Sequence, residues 1–423
     1  MGYIGTKPSA VPLTSADITD GIITSAKIAD GTIVNADINA SAAIASTKLS
    51  GVTSPAAFRN IVINGDMQIA QRATSLASVS TSGYKTLDRF AMTFASLGTW
   101  TMSQSTDVPS GYGFANSLKL DCTTANASPA AGGAMILSQS FEGQNLQYLK
   151  KGTANAQSLT LSFWVKSTKT GTFITELYDD DNTRNISKSY TVNTTNTWEF
   201  KTITFAGDTT GALANDNGGS LLVYFWLGAG TNFTSGTLAT SWGTQTSANR
   251  AVGQVNIADS TSNDFLITGV QLEAGTSATD FEFLPYDVSL DRCLRYYYKT
   301  KPITGGSLFG AGFNNTSVEA RIFISFLTPM RTRPTALETS GTAGDYSVLI
   351  TGNGTPVCTA VPTFAVAEIF HAMVDFTSSG LTGGQGSMGR VTTGNVGFLA
   401  WSAELWFIKY LKQILKVKLF MQE

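Results

Sequence analysis

The amino-acid sequence predicts an all-β protein in which a repetitive N-terminal stalk precedes a jelly-roll β-sandwich and a second β-rich domain. Ser and Thr supply 98 of the 423 residues, and only 14% of residues are charged, whereas roughly 25% is usual for a globular domain. Short apolar runs rich in β-branched residues recur between Gly, Asn, Asp, Thr and Pro, a pattern typical of strands and turns. The length corresponds to two or three domains.

The first region, residues 1–56, is a degenerate ten-residue repeat. It reads ADITDGIITS, AKIADGTIVN, ADINASAAIA and STKLSG, with Ile18, Ile28 and Ile38 in register and no aromatic residue after Tyr3. Units of this kind have too few large side chains to form a core alone and gain stability by stacking on neighbours or on identical chains. We interpret the region as an oligomeric stalk, with a flexible linker as the alternative.

The second region, residues 57–288, is predicted to form the jelly-roll sandwich. The composition becomes aromatic from Arg59 onwards, and runs of about five to nine residues alternate between apolar and polar positions. Many short strands at such spacing favour a sandwich or jelly roll. The candidate strands are RNIVINGDMQIAQR, YKTLDRFAMTF, SLKLDC, AMILSQSF, SLTLSFWVKS, GTFITELYD, WEFKTITF, SLLVYFWLG and DFLITGVQLEAG.

The third region, residues 289–405, is predicted to be a second β-rich domain that begins with a short helix. In VSLDRCLRYYYK, Leu290 and Leu294 recur at helical spacing, and the three consecutive tyrosines are expected to pack at the joint between the domains. The candidate strands that follow are SVEARIFISFLTPM, DYSVLI, TFAVAEIFHAMVDF and GNVGFLAWSAEL.

The last region, residues 406–423, reads WFIKYLKQILKVKLFMQE and differs from everything before it. Four lysines punctuate an apolar run, which makes the segment basic and amphipathic. We interpret it as a terminal helix or strand that closes an oligomer, with binding to a membrane surface or packing on a partner as the alternatives.

Composition excludes several classes of function. A formal net charge of -2 offers no basic surface for nucleic acid, and no window of about 18 apolar residues predicts a membrane span. Cys122, Cys293 and Cys358 have no disulfide or metal spacing and are expected to be buried. The single histidine, His371, excludes a multi-histidine metal site and is expected in a core. The start of the chain has no secretory signal pattern, which disfavours a secreted bacterial protein.

Three aromatic residues are candidates for stacking against a sugar ring. In SLTLSFWVKS, the alternate residues from Leu159 are apolar, whereas those from Thr160 are polar except for Trp164. A tryptophan on the polar face of a strand is a candidate exposed platform, and Tyr224 and Trp226 in LLVYFWLG are further candidates. The alternative is that these rings cover the core beneath loops.

Four stretches together resemble the tail fibres of bacteriophages, particularly those of marine and cyanobacterial hosts. They are the repeat ADITDGIITSAKIADGTI, the run NIVINGDMQIAQRAT with YKTLDRF, the run GVQLEAGTSATDFEFLPYDVSLDRCLRYYYK, and FLTPMRTRPTA. In the second of these, Leu87-Asp88-Arg89-Phe90 is similar to an "ADRW"-type element of the sandwich domain. The Lys-rich end beyond Leu405 departs from the pattern, so the resemblance implies no role for it.

The sandwich also resembles carbohydrate-binding modules of the jelly-roll type, at NIVINGDM and LSFWVKS. That resemblance implies one structural calcium ion beside the first and last strands, with Asp66 and Glu273 as ligand candidates. Independently, the acidic run Asp179-Asp180-Asp181-Asn182 is an oxygen-rich loop of the kind that binds a hard cation, with Asp180 as the candidate ligand. A solvated turn is the alternative for this run.

These resemblances imply a structural virion protein rather than an enzyme: a homotrimeric tail fibre. Its N-terminus is expected to attach to adaptor or nozzle proteins of the phage tail, and its β-domains to bind host polysaccharide or lipopolysaccharide. One alternative is a polysaccharide depolymerase or glycosidase tailspike, which needs two carboxylates roughly 5–10 Å apart. Another is a non-viral carbohydrate-binding adhesin, which the missing export signal disfavours.

Overall fold

The computed structural model describes residues 58–300, 306–350, 352 and 354–405, which together are all-β, with 42% of residues in strands and 8% in helices. This confirms the predicted fold class. The predicted stalk, residues 1–56, and the basic segment, residues 406–423, lie outside the described residues. The strands, β1 to β22 in chain order, are Ser75–Val79, Gly83–Tyr84, Ala91–Ala95, Thr99–Ser105, Ser117–Thr124, Ala134–Glu142, Leu159–Ser167, Gly171–Asp179, Arg184–Val192, Glu199–Phe205, Gly219–Ala229, Gly243–Thr244, Asp264–Ala274, Tyr297–Lys299, Leu308–Asn314, Glu319–Ser325, Glu338–Thr339, Tyr346–Ile350, Thr363–Ala367, His371–Thr377, Gly386–Val391 and Leu399–Ser402.

The first β-domain is a sandwich of two antiparallel sheets. One has the strand order β1-β4-β5-β13-β7-β10 and the other β12-β9-β8-β11-β6-β3-β2, so neighbouring strands are often distant in sequence. Their inner faces share one hydrophobic core, in which Phe163 of β7 makes edge contacts with Tyr190 and Phe225 of the opposite sheet at 5.1 Å between ring centroids. The predicted alternation of β7 is confirmed, since Leu161, Phe163 and Val165 are all fully buried.

The run RNIVINGDMQIAQR was expected to be a strand and is a loop, so that prediction was wrong. Side-chain amides replace the ladder bonds: Asn60 Oδ1 accepts from the backbone N–H groups of Val62 and Leu272, and Asn64 Nδ2 donates to the carbonyl of Ile69. A Cβ on Gly65 would lie 2.1 Å from the Val270 carbonyl oxygen, so this close approach requires glycine.

Several other predicted strands are shifted or incomplete. The expected run TFAVAEIFHAMVDF is two strands, β19 and β20, and the Gly-rich segment TGGQGSMGR, which is in none of the candidate strands, supplies most of β21. Strands β1, β4, β9 and β15 were not predicted. Each of these sequences contains two to four Ser, Thr, Asn or Gly residues, which weakens the apolar alternation.

The second β-domain begins with a helix, as predicted. Helix α1 is the single turn Thr231–Thr234 of the first domain, and α2 runs from Tyr286 to Leu294. After α2, a three-stranded sheet β14-β22-β17 and a six-stranded sheet β18-β21-β15-β16-β20-β19 enclose a second core that includes Tyr298, Tyr346 and Trp401. Within the described ranges, no helix is long and apolar enough to cross a membrane.

The two domains meet at a buried ionic joint. Arg89 is fully buried, forms a salt bridge with Glu404, donates from its second terminal nitrogen to the Ser140 carbonyl at 2.6 Å, and stacks over the Tyr296 ring at 3.5 Å. Arg295 forms a bidentate pair with Glu142, at 2.8 and 2.7 Å. These contacts join the sandwich to the elements of the second domain.

The three consecutive tyrosines are buried at this joint, which confirms their expected role. Tyr296 belongs to a small cluster with Ile63 and Ile69 of the first domain, whereas Tyr298 belongs to the second core. Tyr297 donates its hydroxyl hydrogen to Glu338 at 2.8 Å. Tyr296 lies in the turn before β14 and Tyr298 within that strand, and the change of direction places their rings in two different hydrophobic clusters.

The cysteine prediction is confirmed and the histidine prediction was wrong. All three cysteines are buried and free. His371 begins β20 on the outer face of its sheet, half-buried, with its ring 4.7 Å from that of Phe323. The apolar run around it misled because Ala372 and Val374 face the core while His371 and Met373 face outwards.

Asp88, beside the joint, gives the protein a pH-dependent stability. Burial raises the pKa of Asp88 to about 6, although Arg72 and two hydrogen bonds from Gln71 lower it. The folded chain holds this proton more tightly than the unfolded chain, so the stability contributed by Asp88 increases as the pH falls through 6. We expect Asp88→Asn to gain stability relative to wild type at about pH 8 and to lose that advantage at about pH 5. Urea unfolding of both proteins at the two pH values measures this, and an equal difference at both would contradict it.

Candidate functional site

The outer face of the first six-stranded sheet carries an aromatic floor. Trp164 of β7 lies directly opposite Phe200 of β10, with 5.3 Å between the ring centroids. Directly opposed residues point to the same face of a sheet, so both rings stand on the side away from the core. Phe200 is 48% exposed and Trp164 is half-buried, which leaves this floor accessible to solvent.

One wall of the site is the loop of residues 106–116, which connects β4 to β5. It carries Tyr112 over Trp164, with 4.2 Å between the ring centroids and 48° between the ring planes. Tyr112 is still 55% exposed. The tilted pair therefore offers two ring surfaces to a ligand rather than a closed stack.

The loop of residues 106–116 is anchored at Asp107. Lys166 of β7 donates to one carboxylate oxygen at 2.6 Å, and the Trp198 indole N–H donates to the other at 2.9 Å. Partial burial alone would raise the pKa of Asp107, but the hydrogen bonds from Lys166 and Trp198 outweigh it and lower the pKa. The carboxylate is therefore ionised at neutral pH and holds the loop against the strand that carries Trp164.

The opposite wall is the loop of residues 275–285. Phe281 and Phe283 contact each other, at 4.9 Å between centroids, and each lies 5.1 Å from Phe114 of the first loop. Gly269 in the bulge of β13 has a φ of 62°, and a Cβ there would lie 2.6 Å from the Phe114 ring. Glycine at this position therefore lets the phenylalanine cluster close one end of the site.

Floor and walls enclose a groove of about 570 Å³, which we call the aromatic groove. Tyr112, Phe114, Trp164, Phe200, Phe281 and Phe283 line it together with the polar residues Ser162, Thr279 and Asp280. This volume lies within the range of about 300–1,000 Å³ that is common for small-molecule sites. Several flat apolar rings with a few polar groups at the edge suit a ligand whose faces carry C–H groups and whose rim carries hydroxyls.

The structure separates the three predicted platform residues. Trp164 lies in the aromatic groove, on the face that its alternation predicted. Tyr224 and Trp226 are 2% and 0% exposed, so their expected exposure was wrong. They lie on the outer face of the second sheet beneath the segment that carries α1 and Arg250, whose guanidinium is 5.3 Å and 5.2 Å from their ring centroids.

The residues proposed as calcium ligands do not fit that ion. Glu273 accepts hydrogen bonds from Gln271 and from both the backbone N–H and the hydroxyl of Thr279, so its oxygens are engaged by protein donors. The Gln68 amide donates to Asp66 at 2.6 Å, and burial raises the pKa of Asp66, which favours its neutral form. The Glu273 contacts instead fix Thr279 and with it the groove wall of residues 275–285.

The acidic run near Asp180 is also unsuited to a metal ion. Lys151 forms salt bridges with Asp179 and Asp208, and the Asn182 side chain also donates to Asp179. A lysine ammonium thus already occupies the place where a cation would balance these charges. In the described part of the chain, no group of three or more His, Cys, Asp or Glu side chains is arranged to hold a metal.

Five groove residues were not predicted from the sequence, namely Tyr112, Phe114, Phe200, Phe281 and Phe283. Phe200 could have been found, since the alternation of β10 places it on the face opposite Ile203 and Phe205. The other four belong to loops, where no periodicity reports which way a side chain points.

No family model and no curated protein matches this chain. Among solved structures, the enzymatically active domain of bacteriophage CBA120 tailspike protein 4 is 15% identical with a TM-score of 0.28, over 51% of this chain and 22% of that one. A CBM4 structure is 10% identical with a TM-score of 0.26, over 50% and 98%. The family 11 carbohydrate-binding module from Clostridium thermocellum, in complex with a β-1,3-1,4-mixed-linked tetrasaccharide, is 9% identical with a TM-score of 0.25, over 49% and 99%. These similarities are too remote to identify a function, so the aromatic groove is the basis for one.

Proposed function

We propose that this chain is a bacteriophage tail fibre that binds a host surface saccharide in the aromatic groove. In this proposal the fibre is a homotrimer of the virion, and residues 1–56 attach it to adaptor or nozzle proteins of the tail. The ligand is a polysaccharide or lipopolysaccharide of the host surface. The groove between Trp164, Tyr112 and Phe200 is the observation that carries the binding function, and the tail-fibre sequence motifs support the virion role.

The groove matches the surface chemistry of a sugar. The C–H face of a pyranose ring packs against Trp164 and Phe200, while its hydroxyls meet Ser162, Thr279 and Asp280 at the rim. Two anchored walls keep the rings in place before the ligand arrives, which reduces the entropy lost on binding. Each contact is weak, and three copies on one fibre increase the overall affinity by roughly 10²–10⁴.

Removing a half-exposed ring of the groove is expected to weaken saccharide binding. Tyr112→Ala and Phe200→Ala each delete a ring that stands outside the core, so the sandwich should still fold. Loss of one stacking contact should weaken binding by about tenfold, equivalent to about 1.4 kcal/mol. Affinity electrophoresis against polysaccharides extracted from candidate hosts measures the dissociation constant of each full-length variant.

The matched control for these variants is Tyr148→Ala. Tyr148 is 50% exposed, like Tyr112, but lies outside the groove. Binding should be unchanged in this control. If all three variants bind as wild type does, or if all three lose binding equally, the aromatic groove is not the saccharide site.

We further propose that the groove binds saccharide without cleaving it. Glycoside hydrolysis requires a pair of carboxylates across the bond, and Asp280 is the single carboxylate among the described groove-lining residues. Incubation with a bound polysaccharide should release no reducing sugar. Release that is abolished by Asp280→Asn would favour a depolymerase tailspike instead.

Location in the particle tests the virion role separately from binding. Antibodies against the two ends of the chain should label the tail region in micrographs of purified phage, with the N-terminal label closer to the tail. A chain that binds saccharide but is absent from purified particles would favour a non-viral adhesin.

A further inference from the structure

The outer face of the second domain's six-stranded sheet carries a continuous row of uncharged side chains. Cross-strand pairs connect one residue from every strand: Leu349 with Met388, Met388 with Ala311, Ala311 with Phe323, Phe323 with Met373, and Met373 with Val366. Directly opposed residues share a face, and their sequence neighbours Val348, Ile322 and Val374 are in the core. We call these six residues the apolar row.

The row is exposed and extends into the adjoining loop. Met388, Phe323 and Val366 are 39%, 41% and 42% exposed. Phe370 and Leu327, at 57% and 79%, lie at the end of the sheet where the backbone N–H of Phe326 donates to the Phe370 carbonyl. An exposed apolar surface that crosses a whole sheet is typical of a protein interaction site.

We propose that the apolar row is an interface between copies of this chain. The outer face of this sheet, with six strands about 4.8 Å apart and five to seven residues long, has an area on the order of 600 Å². The exposed loop residues increase this area towards the roughly 800 Å² that each partner buries in a standard interface. A surface that pairs with a second copy of itself must carry little net charge, and two arginines, Arg321 and Arg390, balance two carboxylates, Glu319 and Asp375, on this face. Arg321 pairs with Asp375 on the neighbouring strand at 2.8 and 3.0 Å, and lies 3.9 Å from Glu319.

The same charge balance disfavours residues 406–423, the other segment of this chain that is a candidate to cover the apolar row. That segment carries four lysines and one acidic residue, Glu423. Arg321 and Arg390 together balance Glu319 and Asp375, so this face offers no net acidic surface to a basic segment. A second copy matches the row in both hydrophobicity and charge.

Glutamate substitutions in the row test the proposal on the full-length chain. Phe323→Glu and Met388→Glu place a charge on outward-facing side chains, so either variant should keep the core intact. Sedimentation equilibrium should show an oligomer for wild type and at least a tenfold weaker association for each variant. The control is Val396→Glu, which adds the same charge at an 82% exposed loop residue outside the row.

Hydroxyl-radical footprinting adds a local readout, because residues 1–56 could hold copies together by themselves. Met373 and Met388 should be protected from oxidation in wild type and oxidised faster in Phe323→Glu, whether or not the oligomer mass in sedimentation equilibrium changes. A monomeric wild type, or equal oxidation rates in wild type and variant, would overturn the proposal. Truncation after Leu405 removes residues 406–423. If Met388 is then oxidised faster while the number of subunits stays the same, the basic segment covers the row, and this result would also overturn the proposal. The proposal does not depend on saccharide binding, which the row variants should leave unchanged for a short soluble glycan.

Discussion

Glu404→Ala is expected to lower the free energy of unfolding by about 3–5 kcal/mol, among the largest effects of any single substitution in this chain. Glu404 is the counter-charge of Arg89, and both side chains are fully buried. Removing the carboxylate leaves a guanidinium buried in a medium of low dielectric constant, and the Ser140 carbonyl and the Tyr296 ring compensate only part of the lost solvation.

Guanidinium chloride unfolding, followed by tryptophan fluorescence, measures this loss. The matched control is Glu368→Ala, because Glu368 pairs with Arg333 at the surface, where both side chains are about half exposed. Exposed pairs contribute about 0–1 kcal/mol, so the control should change stability little. Similar losses in the two variants would show that the Arg89–Glu404 pair does not hold the joint.

Glu176→Ala is expected to have a comparable effect, about 3–5 kcal/mol, within the first domain. Its carboxylate accepts from Arg250 at 2.8, 3.0 and 3.1 Å and from the Trp226 indole N–H at 2.9 Å, and all of these groups are buried. The substitution would leave the guanidinium enclosed by the rings of Tyr224 and Trp226 without a counter-charge.

This loss is measured by the same unfolding experiment, with Asp121→Ala as the control. Asp121 lies 4.0 Å from Lys119 in a pair whose side chains are 49% and 32% exposed, so its removal should cost less than about 1 kcal/mol. The fluorescence spectrum of the folded variant should also change, because Trp226 loses its hydrogen bond. A folded Glu176→Ala protein of wild-type stability would contradict the expected burial of this pair.

Strand alternation explains how much of the fold was predictable. The apolar face of β7 could be assigned because Leu159, Leu161, Phe163 and Val165 alternate without interruption, and the sandwich class followed from many such runs. Residues 59–72 were misassigned because that loop is held by the side-chain amides of Asn60, which accepts, and Asn64, which donates, and an isolated asparagine leaves no periodic signal. Local alternation predicts strands but not the side-chain contacts that replace a strand.

The candidate site was predictable only where a strand builds it. Trp164 interrupts a polar face, which is why the sequence indicated it, whereas Tyr112 and Phe281 come from loops separated from it in sequence. Tyr224 and Trp226 belong to a strand that is apolar on both faces. Alternation cannot show that Arg250 and its segment cover the outer face, on which both rings lie. Long-range packing, which is absent from local patterns, decides which rings reach solvent.

The joint between the domains also sets an order for folding during synthesis. Arg89 and Glu404 are 315 residues apart in sequence, so the guanidinium emerges from the ribosome long before its counter-charge exists. At roughly 5–20 residues per second, that interval is about 15–60 s. During this interval Arg89 in the first sandwich must stay hydrated. This edge of the sandwich can exclude water only after β22, the last described strand, and the residues that follow it have been made. The nascent chain therefore completes its first domain in two stages, and the second stage waits for the synthesis of Glu404.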